Sequence, residues 1–376
     1  METQIWRRPD SIVSPEILDD NSVIFRVQAE NAGAVQLTGT WPVPFERSIP
    51  MEKKDATLYE VKVGPLPSDM YEYEFIIDGV PALDPRNRAV THDGAWIQNR
   101  LRPPGKQADL YDVHSVPHGD VTALWYPSPS LGQDRRMNIY TPPGYHNHDW
   151  QYPVLYLLHG GGGDEDVWLS RGRVNYILDN LIAAGDAQPM IVVMPNGYPN
   201  YAGAPLHRPR SADQTPGINP MISGLFEASL INDIVPYIET HYRVKADAEH
   251  RAISGFSMGG YHTQMVTNSN PGVFSYIGVM SMGLFSGLPG VEVAYSRDQH
   301  LNQLTALKES RPRLYWIGMG TEDFLYKGIA PLLELYDEAG LTYLYRENAG
   351  YHDWNSCRLY LTEFVPLLFR QDIKRS

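Results

Sequence analysis

The hydrophobic grammar of this chain changes near residue 105. Before that point, short runs such as Val23–Val27, Ala34–Thr38, Tyr59–Val63 and Tyr71–Ile77 recur, several of them alternating polar with apolar positions. A period of two turns one face of a strand toward a core. Asn31, Gly33, Pro65, Pro67, Asp78 and Gly79 punctuate the runs as turn formers. No helical period interrupts them, so the segment predicts a small all-β sandwich.

Past the linker-like Arg102-Pro103-Pro104-Gly105 and a second β-rich stretch, the pattern becomes compact apolar blocks. These are Val154–Leu158, Ile191–Met194, Ala252–Ile253, Tyr276–Met280 and Leu314–Gly318. Strands buried on both faces read this way. Helix-compatible stretches lie between and after them, over Val174–Ala184, Leu230–His241, Met258–Thr267, Ile329–Ala339 and Arg358–Phe369. Alternating strand and helix predicts an α/β domain with a doubly wound, mainly parallel sheet. The division is placed at 1–105 and 106–376. The segment from Tyr198 to Gly224, rich in Gly, Pro, Ser and Asn, fits neither grammar and reads as a cap over a site or as surface decoration.

Composition narrows the partners. A formal charge of −13 argues against nucleic acid or an anionic membrane. The single cysteine, Cys357, excludes an intrachain disulfide and a cysteine metal cage. No apolar run reaches the roughly 18 residues that a spanning helix needs. Met1–Asp20 lacks the apolar core of a signal peptide. That places the protein in the cytoplasm if Met1 is the native start, and in the periplasm or outside the cell if a leader has been removed. The 24 tyrosines and 8 tryptophans are enough to line a sugar- or aryl-binding surface as well as a core.

Residues 255–259 read Gly-Phe-Ser-Met-Gly, between the end of an apolar block and the start of a helical stretch. A serine hydroxyl is a weak nucleophile unless a sharp strand-to-helix turn holds it beside a base, and flanking glycines permit that turn. The base should follow a late strand. Of the three histidines downstream, His262 lies in the helix after the turn and His300 in a polar stretch. His352 follows Thr342–Tyr345 and fits. The orienting acid should follow Leu314–Gly318, where Glu322 and Asp323 stand side by side. Asp323 is the better placed, with Glu322 as the alternative. His159-Gly160-Gly161-Gly162-Gly163 closes the first apolar block and offers backbone donors, Gly161 foremost, with the Met258 N–H as the second donor to an oxyanion. No Gly-Lys-Ser/Thr follows these glycines and no G-x-G-x-x-G spaces a dinucleotide site, so a phosphate cradle is not expected. His146 and His148 form an H-x-H without a third ligand, and no metal is expected. Trp168, Tyr261, Phe324, Tyr351 and Trp354 flank the motif loops as candidates for a substrate wall, with core packing as the alternative for each.

These motifs resemble the esterase D and feruloyl esterase branch of the α/β-hydrolases, carbohydrate esterase family 1. The likeness is carried by Tyr156–Gly162, Tyr242-Arg243-Val244, Arg251–Gly260, Gly320–Asp323 and Gly350–Trp354. Val23–Val27, Gly39-Thr40-Trp41 and Tyr71–Gly79 are more loosely similar to the immunoglobulin-like CBM48 modules of some members. The resemblance implies cofactor-free hydrolysis of hydroxycinnamoyl or acetyl esters of plant cell-wall sugars, on a small-molecule or oligosaccharide substrate. The family also includes siderophore esterases and mycolyltransferases, so a siderophore or general carboxylesterase with the same triad, or an acyltransferase, is the alternative. A glycan-binding protein with an inactive hydrolase domain is the reading from another class. Family members often carry a second tryptophan shortly after the histidine. Here Asn355-Ser356-Cys357-Arg358 stands in its place.

Overall fold

Alternation in Val23–Gln28 buries Val23, Phe25 and Val27 while Arg26 and Gln28 face outward. A computed structural model describes residues 12–42, 46–207, 219, 223–284 and 295–370. They fall into two compact units. One comprises residues up to His92 together with Trp96–Asp112, and the other comprises Asp93–Ala95 and the chain from Val113 onward. The sequence places the division at 105; the first unit runs on through the short helix Lys106–Asp109.

The first unit is an antiparallel sandwich. A four-stranded sheet runs in the order Glu16–Ile17, Val23–Gln28, Leu58–Val63, Glu52–Lys53. A six-stranded sheet is built around Val35–Gly39 and Tyr71–Ile77. Phe25 of one sheet meets Tyr73 of the other edge to face, with ring centroids 4.8 Å apart. Trp41 lies across Gly39, where any Cβ would fall about 2.0 Å from the indole, so Gly39-Thr40-Trp41 is a packing requirement.

In the second unit eight strands form one sheet. We number them β1 (Asp120–Ser128), β2 (Gln133–Thr141), β3 (Val154–Leu158), β4 (Ile191–Pro195), β5 (Arg251–Phe256), β6 (Tyr276–Met280), β7 (Leu314–Gly320) and β8 (Leu344–Asn348). Their order is β1-β2-β4-β3-β5-β6-β7-β8. β1, β2 and β4 pair antiparallel, and every pairing from β4 through β8 is parallel. This is the α/β-hydrolase arrangement. β3, β4 and β6 are buried along their whole length, and β5 from Ala252 onward, as continuous apolar runs require.

Helices cover both faces. Val266, Leu304, Leu307, Leu332 and Leu335 join Ile253, Ile277, Val279 and Ile317 in one core. On the other face, Phe364 of the helix Trp354–Phe364 packs against Trp316, with centroids 5.7 Å apart, and over Gly278. The stretch expected as one helix over Leu230–His241 starts earlier, at Leu225, and contains a π-helical turn over Leu230–Ile234. The last long helix covers Trp354–Phe364, not Arg358–Phe369, because Asp353 caps it by accepting from the Ser356 N–H. Much of the irregular 198–224 segment, including residues 208–218 and 220–222, lies outside the described residues. Among the described residues no helix is long and apolar enough to cross a membrane.

Phe364 fills the space that Gly278 leaves open. Phe364→Ala is expected to lower the unfolding free energy by about 3–5 kcal/mol in urea titration, the usual range for an emptied aromatic core site.

Candidate active site

β5 is central, between β3 and β6, and carries Ser257 to the C-terminal edge of the sheet. There the chain must reverse into the helix Met258–Ser269 within one residue. Ser257 does this at φ 55°, ψ −115°, a conformation L-residues seldom adopt. The surrounding packing enforces it. A Cβ on Gly255 would lie 2.3 Å from the backbone of Gly259, and one on Gly259 would lie 2.4 Å from the Leu158 carbonyl. The Ser257 N–H donates to Met280 O at 2.9 Å, tying the turn to β6.

His352 reaches this hydroxyl from the loop after β8. Its Nε2 lies 2.8 Å from Ser257 Oγ. Its Nδ1 lies 2.9 and 2.8 Å from the two carboxylate oxygens of Asp323. A carboxylate only accepts, so Nδ1 carries the proton and Nε2 accepts from the serine hydroxyl. Asp323 is buried and also accepts the Leu325 N–H at 2.8 Å, whereas Glu322 is exposed. Such a chain can draw the hydroxyl proton onto imidazole while the carboxylate steadies the resulting cation.

The glycine loop after β3 is held from below. His159 is buried. Its Nδ1 donates to Gly160 O at 2.8 Å, and its Nε2 accepts the Gly197 N–H at 2.7 Å. Both roles require the neutral ring, and burial lowers its pKa from 6.5 to about 4. The Gly162 N–H donates to Tyr198 Oη at 2.6 Å and the Gly163 N–H to Gly160 O at 3.2 Å. Gly161 stands between them with open space where a Cβ would project. Below the loop, Glu165 accepts from Arg136 at 2.7 Å, Asn196 at 2.8 Å and the Ala204 N–H at 2.7 Å. The buried Asp164 beside it has its pKa raised to about 7 by burial and by the Glu165 charge.

The five aromatic candidates divide sharply. Phe324 is 72% exposed, and its ring lies 4.4 Å from the His352 ring. Tyr351 is half-buried beside the histidine. Trp168, Tyr261 and Trp354 are buried, with Trp168 and Trp354 edge to face at 5.3 Å. Phe256, which the sequence did not single out, touches both His352 (4.8 Å) and Trp354 (5.8 Å). Its place inside the pentapeptide was the available signal. Tyr198 and the clamping role of His159 had no local signal, because their partners are remote in sequence. His262 points away from Ser257, as expected from its helix position, and pairs with Glu227 at 2.7 Å. His146 approaches Asp120 at 3.6 Å and His148 stacks on Trp150. Among the described residues no cluster of His, Cys, Asp or Glu could hold a metal ion.

The folded state resists protonating His159 until about pH 4, while the unfolded chain takes up that proton near pH 6.5. Its contribution to stability is therefore present above pH 6.5 and lost as pH falls through that window. His159→Gln keeps a donor and an acceptor but does not titrate. Between pH 7 and pH 4, wild type should lose on the order of 3 kcal/mol more unfolding free energy than the variant. Equal losses in urea titrations at the two pH values would exclude the neutral clamp.

Comparison with known proteins agrees with this architecture. The chain is 33% identical over 227 residues to an endo-1,4-beta-xylanase/feruloyl esterase of Xylanibacter ruminicola, covering 59% of this chain and 30% of that protein. It is 24% identical over 319 residues to endo-1,4-beta-xylanase Y of Acetivibrio thermocellus, covering 79% and 27%. The chain thus spans less than a third of the length of these relatives. The CE1 ferulic acid esterase of Anaeromyces mucronatus, solved with ferulic acid, superposes with a TM-score of 0.56 at 25% identity, over 69% of this chain and 93% of that one. The enterobactin esterase of Shigella flexneri shares the fold over 92% of both chains, with a TM-score of 0.65 at 15% identity. The Esterase family model matches residues 128–366, which include the strand-turn-helix at Ser257 and the loops bearing Asp323 and His352, and the chain belongs to that family.

Proposed function

We propose that this protein is a serine carboxylic-ester hydrolase of feruloyl-esterase type, cleaving hydroxycinnamoyl or acetyl esters of plant cell-wall polysaccharides. The observation that carries the reading is His352, placed between Ser257 Oγ at 2.8 Å and Asp323 at 2.8 Å. The ester class is supported by likeness to the Xylanibacter ruminicola and Anaeromyces mucronatus proteins.

In this mechanism Ser257 Oγ attacks the ester carbonyl as its proton passes to His352 Nε2. The oxyanion is held by the N–H groups of Gly161 and Met258. Met258 is the first residue of its helix, where N–H groups lack intrahelical partners. Collapse of the tetrahedral intermediate breaks the bond to the alcohol, which leaves with the proton from His352. Water then gives its proton to His352 and attacks the acyl-enzyme, and the acid departs as Ser257 is reprotonated. No cofactor takes part. Phe324 and Tyr351 border the acyl side, with Trp354 and Trp168 packed behind, while Tyr261 lines a separate hollow beside Glu227. The sandwich unit would serve as a CBM48-like glycan-binding module, with the catalytic domain continuous from about residue 113.

A siderophore esterase is the second reading, favoured by the fold shared with the Shigella flexneri enzyme. A panel of methyl ferulate, methyl sinapate, acetylated xylan and a catecholate ester ranks the classes, with methyl ferulate expected to turn over fastest. Ser257→Ala should lower kcat by at least about 10⁴-fold, and Asp323→Asn by a comparable factor. Retention of near-wild-type turnover by Ser257→Ala would falsify the mechanism. Phe324→Ala should raise KM for methyl ferulate about fivefold while leaving p-nitrophenyl acetate within twofold, because its ring only meets an aryl acyl group.

A further inference from the structure

Trp150 is 64% exposed on the surface of the hydrolase unit. One face of its indole is stacked by the His148 imidazole, at 4.2 Å and 13° between planes, which holds the ring as a platform. It borders a cleft of about 780 Å³ that also presents Gln151, Gln188, Lys245, His250 and Arg370. The floor is fixed by paired backbone, since the Tyr152 N–H donates to Arg243 O at 2.9 Å and the Lys245 N–H to Tyr152 O at 3.0 Å.

Position separates this cleft from the catalytic residues. Gln151, Gln188 and Lys245 stand shortly before β3, β4 and β5, at the N-terminal edge of the sheet, whereas Ser257 stands after β5 at the other edge. Five-residue strands put roughly 17 Å between the two edges.

From this combination we infer a second binding site, for a polysaccharide chain bearing carboxylate groups such as a uronic-acid-substituted xylan. The inference rests on the polysaccharide reading of the substrate given above. A pyranose ring is apolar across its C–H face and ringed by hydroxyls. An exposed indole takes the face, and side-chain amides such as Gln151 and Gln188 both donate to and accept from the rim. Neutral sugar alone would not call for cations. In a chain of net charge −13, this cleft is lined by Lys245 and Arg370, and no carboxylate is among its described lining residues. Arg370 donates to the Asp186 carbonyl and His250 pairs with Asp247 at 2.8 Å. Lys245 is the cation best placed to meet a carboxylate.

The test uses Ser257→Ala protein, so that binding is read without hydrolysis, in affinity gels cast with glucuronoxylan or neutral arabinoxylan. Glucuronoxylan should retard it. Adding Trp150→Ala should weaken this retardation about tenfold or more. Lys245→Gln should weaken it on glucuronoxylan and leave arabinoxylan unchanged. In the active protein, Trp150→Ala should leave kcat/KM for methyl ferulate within twofold while slowing ferulate release from polymeric xylan severalfold. Absence of retardation, or retardation indifferent to Trp150→Ala, overturns the site. So does a Trp150→Ala effect accompanied by loss of mass in light scattering, which would make the patch a contact between copies. Failure to hydrolyse methyl ferulate, with Trp150-dependent binding intact, would instead count against the catalytic reading.

Discussion

The crossing of Gly255 and Gly259 is the contact on which the site depends. With no side chain on either residue, the last turn of β5 and the first turn of the following helix approach to within backbone contact. Ser257 then has no route from strand to helix except through φ 55°, ψ −115°. Such a conformation costs about 1–3 kcal/mol and persists only where the surroundings over-determine it. Here the central position of β5 and the hydrogen bond to Met280 O supply that constraint. The strain lifts Oγ clear of both elements and sets it at the end of the helix where backbone N–H groups are unspent. The Ser257 hydroxyl and the Met258 N–H are therefore placed by one turn.

A second constraint acts beneath the glycine loop, and it is electrostatic. Arg136, Glu165 and Asn196 form a buried network joining the segments after β3 and β4. Buried charges contribute little net stability when paired but are expensive to separate. Such a network resists partial opening more than it raises overall stability. His159 adds a neutral clamp between the same segments, and Tyr198 engages the Gly162 N–H from the second of them. A loop of consecutive glycines has little conformational preference of its own. Its geometry must come from these neighbours.

This division explains what could be read from the sequence. Ser257 and Asp323 were legible because each follows a buried apolar strand, and topology carries strand ends to one edge of a parallel sheet. His352 follows the partly exposed edge strand β8, and its place after the last strand was the signal. The choice of Asp323 over Glu322 was legible only as a preference, and burial of one carboxylate beside His352 explains it physically. Trp168 and Trp354 could not be told from exposed aromatics, since their burial follows from packing on each other and on Phe256. The helix Arg297–Glu309 escaped notice because its polar faces bury only Leu304 and Leu307. The π turn over Leu230–Ile234 has no periodic signature, being one extra residue in an otherwise helical run.

The same logic bears on how an ester on a polymer would be found. Ester groups on a polysaccharide are sparse, and a reactive serine at the sheet edge contacts only the ester itself. A polymer held at the Trp150 edge would keep neighbouring esters within a few tens of ångströms of Ser257, because five-residue strands fix the separation at roughly 17 Å. Such tethering raises the local concentration of a second contact to the millimolar range without any new interaction at the nucleophile. Rigidity of the intervening sheet is what makes this work. The strands that position the serine are also the strands whose opposite ends frame the cleft, so neither end can move without the other.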